Sequence, residues 1–390
     1  MIAHTMKPLS LFSSNKSNND NNIQLDLVGL LTVIGEAAMG YHVHVITASP
    51  LAFLPRLLPA PQAFLAPTRP SRLPPNNNVD TIGVYSGNIR RHLNYFGEIL
   101  HSPDTLKAYS LQEVTVEHTY RRDQTIRSAP FGPTGTLSQF GALLSLGLIG
   151  FSLAMGDGTA VFAICLLSLT STLTGVGSRW CVLLQKRLER RDGIPKGDVV
   201  LKTSKGAFVL VHCNEEVARE LYFGQESMLY MLSERWFRVT AGAGTFSLMA
   251  AVVFLANCTW ELQAAIAITY ILLNSFYWFA AVLPPKWGWD MGMYKLTKQS
   301  AESVSDFDTY TKVVTEIVKR TKSVGWLRES EVLPKTEAWT EWIDEAEKNC
   351  HNSEWDGSRA LSEIFKARAA KHTPRNDGDL VAGNGSDNAV

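Results

Sequence analysis

Charge is what two long stretches of this chain lack. From Ser128 to Ser178 the one charged residue is Asp157, and from Val239 to Pro285 it is Glu261. A helix on the surface of a soluble domain keeps a polar face for water, which neither stretch can supply. Cysteine is scarce as well. Cys165, Cys181, Cys213, Cys258 and Cys350 show no paired spacing and no Cys-x-x-Cys, which argues against a disulfide framework and against a zinc site. The chain also has no phosphate-cradling glycine loop, no Gly-x-Ser-x-Gly elbow and no His-Glu-x-x-His. Its formal net charge is 0, and its basic residues gather beside the apolar stretches instead of forming a basic domain, so nothing points to nucleic acid.

Those two stretches are long enough to span a bilayer twice each. A hydrocarbon core of about 30 Å takes roughly 20 apolar helical residues. The first hairpin, 137–177, runs from Leu137 to Met155, breaks at Gly156-Asp157-Gly158 and returns from Thr159 to Gly177. The second, 240–283, runs from Thr240 to Ala256, breaks between Asn257 and Gln263 and returns from Ala264 to Leu283. A buried helical pair in a soluble core also reads apolar all round, but runs this long with so few charges belong to bilayers. Arg121, Arg122 and Arg127 precede the first hairpin, and Arg179, Lys186, Arg187, Arg190 and Arg191 follow it. Arg235, Arg238, Lys286, Lys295 and Lys298 frame the second. Basic residues beside membrane ends stay in the cytosol, so both hairpins are expected to enter and leave there. Trp278, Trp287 and Trp289, with Tyr277, are expected to anchor the last exit at headgroup level.

The remaining segments complete an expected α-helical polytopic membrane protein with a small α+β cytoplasmic insert and a helical C-terminal cytoplasmic region. Residues 1–24 read as a disordered leader rich in Asn and Ser. Residues 25–48 form a candidate fifth, N-terminal span, in which the apolar gain is nearly cancelled by Asp26 and Glu36, an acid at mid-helix costing about 2.5–3.5 kcal/mol. Prolines recur through 49–79, which reads as a stiff linker lying on protein or membrane surface. After a cytoplasmic segment, 80–136, and the first hairpin, the insert 178–239 holds two β-rich runs, Val199 to Thr203 and Ala207 to Cys213, around a Ser204-Lys205-Gly206 turn. Asn214 is placed to cap the helix that follows, and Gly224 to end it. Beyond the second hairpin, 284–370 carries three amphipathic stripes: Phe307, Tyr310, Val314 and Ile317, then Trp339, Trp342 and Ile343, then Leu361, Ile364 and Phe365. A polar tail occupies 371–390.

Candidate chemistry is sparse. Glu36 becomes a functional acid if its segment spans, because a carboxyl at that depth needs a partner or water. Asp157 and Glu261, one in each connector, are the other candidate acids, and their matched placement hints at a duplicated hairpin. Small residues Gly141, Gly147, Gly150, Ala154, Gly242 and Gly244 offer close helix contact, so the hairpins read as packed and not permeable. Asp306-Phe307-Asp308 has the spacing of some metal-holding acid pairs, yet acids at a helix start need no such role. His42 and His44, two apart, face different sides of a helix and do not chelate together. Cys181, just past a membrane helix among basic residues, is a candidate for reversible acylation. Of three glycosylation sequons, Asn257 and Asn384 are expected to stay bare, while Asn15 carries a glycan if the fifth span exists. No cofactor and no metal are expected.

Glu216-Val217-Ala218-Arg219-Glu220-Leu221-Tyr222-Phe223-Gly224, the connector Asn257-Cys258-Thr259-Trp260 and the run Leu283-Pro284-Pro285-Lys286-Trp287 resemble multispanning membrane proteins of filamentous fungi that have no assigned biochemical activity. The likeness covers about Leu111 to Lys298. It implies an integral protein of an endomembrane or the plasma membrane, and allows a place in a secondary-metabolite pathway. The expected function is noncatalytic: a protein that meets the lipid bilayer and organises or assists cytoplasmic protein partners. A membrane-embedded enzyme acting on a lipophilic substrate, such as a terpenoid cyclase using Glu36, Asp157 or Glu261, is the alternative, and a small-solute transporter the third.

Overall fold

The computed structural model describes residues 36–119, 125–185, 193–298 and 304–372. The leader, Asn15, Asn384, the tail from 373 and the basic residues Arg121, Arg122, Lys186, Arg187, Arg190 and Arg191 lie outside the described residues. Helix α1 (Glu36–Ala48) leads into 3-10 turns at Pro50–Phe53 and Pro61–Phe64. Strands β1 (Val79–Gly83) and β2 (Ile89–Arg90), helix α2 (Tyr95–His101) and strands β3 (Ser110–His118) and β4 (Arg127–Ser128) precede helices α3 (Pro133–Met155) and α4 (Gly158–Ser178). Strands β5 (Trp180–Leu183), β6 (Val199–Thr203), β7 (Phe208–His212) and β8 (Ser227–Tyr230) separate these from α5 (Glu234–Ala256) and α6 (Trp260–Val282). Strands β9 (Trp289–Asp290), β10 (Tyr294–Lys298) and β11 (Val304–Asp306) follow, then helices α7 (Tyr310–Thr321), α8 (Gly325–Glu329), α9 (Glu337–Asn349) and α10 (Gly357–His372).

Four helices, α3 to α6, are long and apolar enough to cross a membrane. Each hairpin turns where the sequence breaks: Gly156 closes α3 at φ 73°, and the Asp157 side chain caps α4 by accepting from Ala160 N. At the opposite end the helices outrun the apolar runs. Pro133 fits a first turn that needs no N–H, and Glu234 suits the positive end of α5. The arms of the second hairpin find their main partners in the first, α5 against α4 and α6 against α3. Of the glycines expected at helix contacts, Gly244 packs against Leu65 and Gly141 against Leu57, and Gly177 joins them. A Cβ on Gly177 would stand 2.5 Å from Thr240 Oγ1, whereas Gly147, Gly150 and Gly242 face open space.

The proline-rich stretch is no surface linker. Ala52, Leu57, Leu58, Ala60 and Phe64 are buried, and the segment enters and leaves the bundle at the end nearest the sheet. Ala52 O lies against Gly175 near the end of α4, Leu57 N donates to Ser145 Oγ at 2.7 Å, and Arg69 Nη1 returns to Gly177 O at 3.2 Å. Ser145 is about 18 Å along α3 from Pro133 at 1.5 Å per residue, so Leu57 reaches the middle of the bundle. Prolines exclude a helix here and leave fewer amide donors to satisfy, which suits extended chain packed inside protein.

The polar segments pool their strands. Seven form one sheet in the order β10-β3-β7-β6-β1-β2, with β11 also paired to β3. The β6–β7 hairpin turns through Gly206 at φ 78° and lies at the centre, β6 antiparallel to β1 and β7 parallel to β3. The expected insert is therefore not a unit of its own, because an isolated hairpin cannot cover its two apolar faces. Along β7, Val209 and Val211 enter a core with Phe96, Trp180, Tyr222 and Trp289 on the side of the bundle. Phe208 and Leu210 enter the opposite core, with Val313, Ile317, Trp326 and Trp342 from the C-terminal helices. Of the expected aromatic anchors, Trp278 and Trp287 are exposed, while Tyr277 and Trp289 are buried.

Candidate functional site

The sheet gathers ionisable side chains on both faces. On the C-terminal face, His212 ends β7 two residues beyond Leu210, so it points the same way. Its Nδ1 lies 3.0 Å from Asp198 Oδ2 and its Nε2 2.7 Å from Glu113 Oε1 on β3. Glu113 also accepts from Arg320 Nη1 of α7, which closes a chain of alternating charge from sheet to helix. The Asp198 carboxylate, helped by Glu113 and opposed by burial, holds His212 above its ordinary range. Thr115, Glu117, Lys196, Asp198, His212 and Asn214 line an open cleft of about 340 Å³ here. The imidazole separates the two carboxylates, so they do not converge on one cation. Among the described residues no group of three His, Cys, Asp or Glu is arranged to hold a metal ion.

On the bundle face the chain from Ala218 to Phe223 is a π-helix, directly after Asn214 Oδ1 caps Val217 N at 2.9 Å. Widened turns of this kind re-aim one side chain. Glu220 is turned into the core, accepting from Tyr294 Oη at 2.7 Å and facing His118 Nε2 at 3.1 Å. That carboxylate holds His118 above its ordinary range against the effect of burial. Beside it His101 Nε2 and Tyr222 Oη are 2.6 Å apart, and burial pushes His101 down to about 3. Glu226 accepts from Tyr95 N at 2.9 Å and Phe96 N at 3.1 Å, taking the place of a cap for α2. Burial outweighs those two amides and pushes Glu226 up to about 7.

The acids singled out from the sequence behave differently from one another. Asp157 is buried between the connectors, where its carboxylate accepts from Thr159 Oγ1, from Ala160 N at 3.1 Å and from Thr259 N at 2.8 Å. Burial works against its charge, but these donors prevail and hold the carboxyl below its ordinary range. Glu261 is exposed in the first turn of α6. The hairpins are thus not duplicates at their tips: one acid ties, the other faces out. Glu36 is exposed at the start of α1. That helix runs alongside the opposite half of α6, with His42 Nε2 3.0 Å from Tyr277 O. Asp306 ends β11, and Asp308 pairs with Lys312 at 2.8 Å. Cys181 is exposed on β5.

Two features had no sequence signal strong enough to single them out. Arg56 is 2% exposed, its Nη1 donating to Leu51 O at 3.1 Å and Leu54 O at 3.0 Å, with Tyr277 as a further hydrogen-bond partner. The His118, Glu220 and Tyr294 set draws on three distant segments, so no spacing reveals it. Comparison with known proteins finds no match among family models, curated proteins or solved structures.

Proposed function

We propose that this chain is an integral protein of an endomembrane or the plasma membrane, crossing the bilayer through α3, α4, α5 and α6 with the sheet in the cytosol. The observation that carries this reading is the outward face of the bundle. Leu143, Leu146, Phe246, Met249, Val253 and Phe279 are exposed there, Phe246 at 76%. A belt of that size is costly against water and at home against lipid. Arg127, Arg179, Arg235, Arg238 and Lys286 at the sheet end, with Asp157 and Glu261 at the other, support a cytosolic sheet.

On this reading the work is noncatalytic: the bundle holds a two-faced α/β domain at the membrane, where it organises or assists partner proteins. Support comes from how the reactive side chains are spent. His212 ties β6, β3 and α7 together, Glu220 ties the π-helix to β10, Glu226 caps α2 and Asp157 joins the two connectors. The resemblance of 216–224 to fungal membrane proteins extends the reading to a secondary-metabolite setting. Complementation of cells lacking the chain tests it. A variant combining Glu36→Ala, Asp157→Asn and Glu261→Ala is expected to restore the metabolite profile wherever it reaches wild-type membrane levels. Failure at wild-type levels would favour the enzyme.

A small-solute transporter is the second reading, favoured by the inward segment. Arg56 Nε, Tyr270 Oη and Asn274 Oδ1 are buried in the bundle without hydrogen-bond partners among the described residues. Non-helical chain and polar atoms at such depth accompany solute paths in other membrane proteins. Anion uptake into vesicles that is lost with Arg56→Gln would replace the first reading with this one.

A further inference from the structure

We propose that the ribbon of β5 and β8 is a second membrane contact, lying flat in the headgroup layer of the leaflet beside the sheet; this rests on the four-span reading above. The two strands pair antiparallel, Cys181 opposite Leu229 and Leu183 opposite Ser227. Because side chains alternate along a strand, the ribbon has two distinct faces. Trp180, Val182, Leu184 and Met228 turn inward and are buried with Trp289. Cys181, Leu183, Leu229 and, just past β8, Met231 turn outward and are exposed, Leu183 at 53% and Leu229 at 58%. With Ser227 they make an apolar face, bordered on one edge by exposed Arg72, which bridges Ser227 and can meet lipid phosphates.

This face cannot hide itself by folding back. Trp180 Nε1 donates to Thr47 Oγ1 at 3.0 Å, Met231 N to Arg179 O at 2.9 Å and Met228 N to Ser71 O at 3.0 Å. Tyr230 Oη donates to Pro70 O at 2.7 Å. The ribbon is thus pinned to α1, to the end of α4 and to the returning proline segment, with its apolar side outward.

Position selects lipid as the occupant. Trp180 follows Ser178 by two residues, and Tyr230 precedes Glu234 by four, so the ribbon's near edge is within about 14 Å of the helix ends at 3.4 Å per residue. The interfacial layer on each side of the hydrocarbon core is about 5–8 Å thick, which matches the two-residue step of about 7 Å from Ser178 to Trp180. From β8 the chain runs directly into α5, which exposes large apolar residues too. Val253, Phe246 and Val239 recur at one-heptad spacing and are exposed, followed by exposed Trp236 and then Met231 and Leu229. Arg235 and Arg238, exposed beside Trp236, are placed for lipid phosphates.

Fluorescence quenching on the full-length protein in phosphatidylcholine and phosphatidylserine vesicles tests this. Variants retain one cysteine each, at Cys181 itself or through Leu229→Cys, Phe246→Cys or Lys205→Cys, and carry an environment-sensitive dye. Lipids brominated near the headgroup are expected to cause a large loss of emission at 181 and 229. Lipids brominated deep in the chain should quench 246, and neither should quench 205 in the β6–β7 turn. Emission at 181 and 229 that follows 205 while 246 is quenched would overturn the ribbon contact and leave the spans standing. A blue-shifted but unquenched signal at 181 and 229 would also overturn it, showing that a second copy or another protein covers the face. Absence of quenching at 246 would overturn the four-span reading itself.

Discussion

Asp157 Oδ2 accepts the backbone N–H of Thr259 at 2.8 Å, so one carboxylate caps α4 and holds the connector of the other hairpin. The bond joins residues 102 apart in sequence, at the end of the bundle farthest from the sheet. Two hairpins that could slide past each other are thereby registered at their tips.

Asp157→Leu removes the cap and the cross-connector bond together, and leaves the Thr259 amide without its acceptor. The expected loss is about 1–3 kcal/mol of unfolding free energy in detergent. Asp157→Asn keeps an acceptor oxygen and should recover much of it. Glu261→Leu, on an exposed turn, should change stability by no more than about 0.5 kcal/mol. Equal losses for Asp157→Leu and Glu261→Leu in denaturant titration would contradict the asymmetry of the tips.

Gly175 decides whether the proline segment can sit in the bundle. A Cβ there would stand 1.8 Å from Ala52 O and 2.6 Å from Ala52 C, both backbone atoms with no room to yield. Gly175→Ala is expected to expel the 3-10 turn at Pro50–Phe53, at a cost of about 3 kcal/mol or more. The readout is a Leu57→Cys thiol, protected from maleimide in the parent and labelled in the Gly175→Ala background. Gly150→Ala, facing open space, is the control that should leave the thiol protected.

What the sequence disclosed divides by the range of the interaction. Both apolar hairpins, the β6–β7 turn at Gly206, the Asn214 cap and the amphipathic faces of α7 and α9 follow local periodicity and local hydrogen bonds, and each could be read in advance. The sheet could not. Strand β3 pairs with β7 and β10, nearly 100 and 180 residues away, and nothing in its own residues names those neighbours. The same limit hid the inward path of residues 50–65. Proline says that a helix is excluded, but only Gly175 and Ser145, far along the chain, say where the segment goes. Of the candidate acids, Asp157 was legible as a connector residue. Its partner Thr259 was not.

The two raised histidines give the α/β domain a definite pH response. Carboxylates hold His212 and His118 above their ordinary 6.5 in the folded state. Their contribution is therefore complete below that value and is lost as pH rises through the folded pKa. Glu226, pushed up to about 7 from 4.5, acts in the same direction between those two values. His101, pushed down to about 3, acts oppositely below 6.5, so the slope above about 7 belongs to the raised histidines. Thermal unfolding should move to lower temperature as pH rises above about 7 and through the raised pKa values of the two histidines. His212→Gln with His118→Gln should flatten that slope, and a slope unchanged by the pair would remove these residues as its source.

Glycan mapping tests how the chain enters the bundle. Helix α1 runs in the same direction as α6: His42 meets Tyr277 inside α6, and Val45, further on, lies against Gly288 beyond its end. With the end of α6 in the cytosol, the start of α1 points toward the opposite side of the membrane. Its exposed Glu36 lies about 9 Å further along the axis than His42, at 1.5 Å per residue. We expect the four spans α3 to α6 to be joined by a fifth that includes α1, which would deliver Asn15 to the lumen, where its Asn-Lys-Ser sequon can be modified. Asn257 should stay bare, because it sits at the end of α5 with its side-chain amide tied to Val253 O at 2.7 Å. With the sheet in the cytosol, as proposed, Asn384 is expected to stay bare too. Glycosidase digestion is expected to shift the parent and leave Asn15→Gln unshifted. A parent that does not shift would place the chain's start in the cytosol and reduce Glu36 to a polar residue on a helix that does not span; a glycan on Asn384 would invert the topology as a whole.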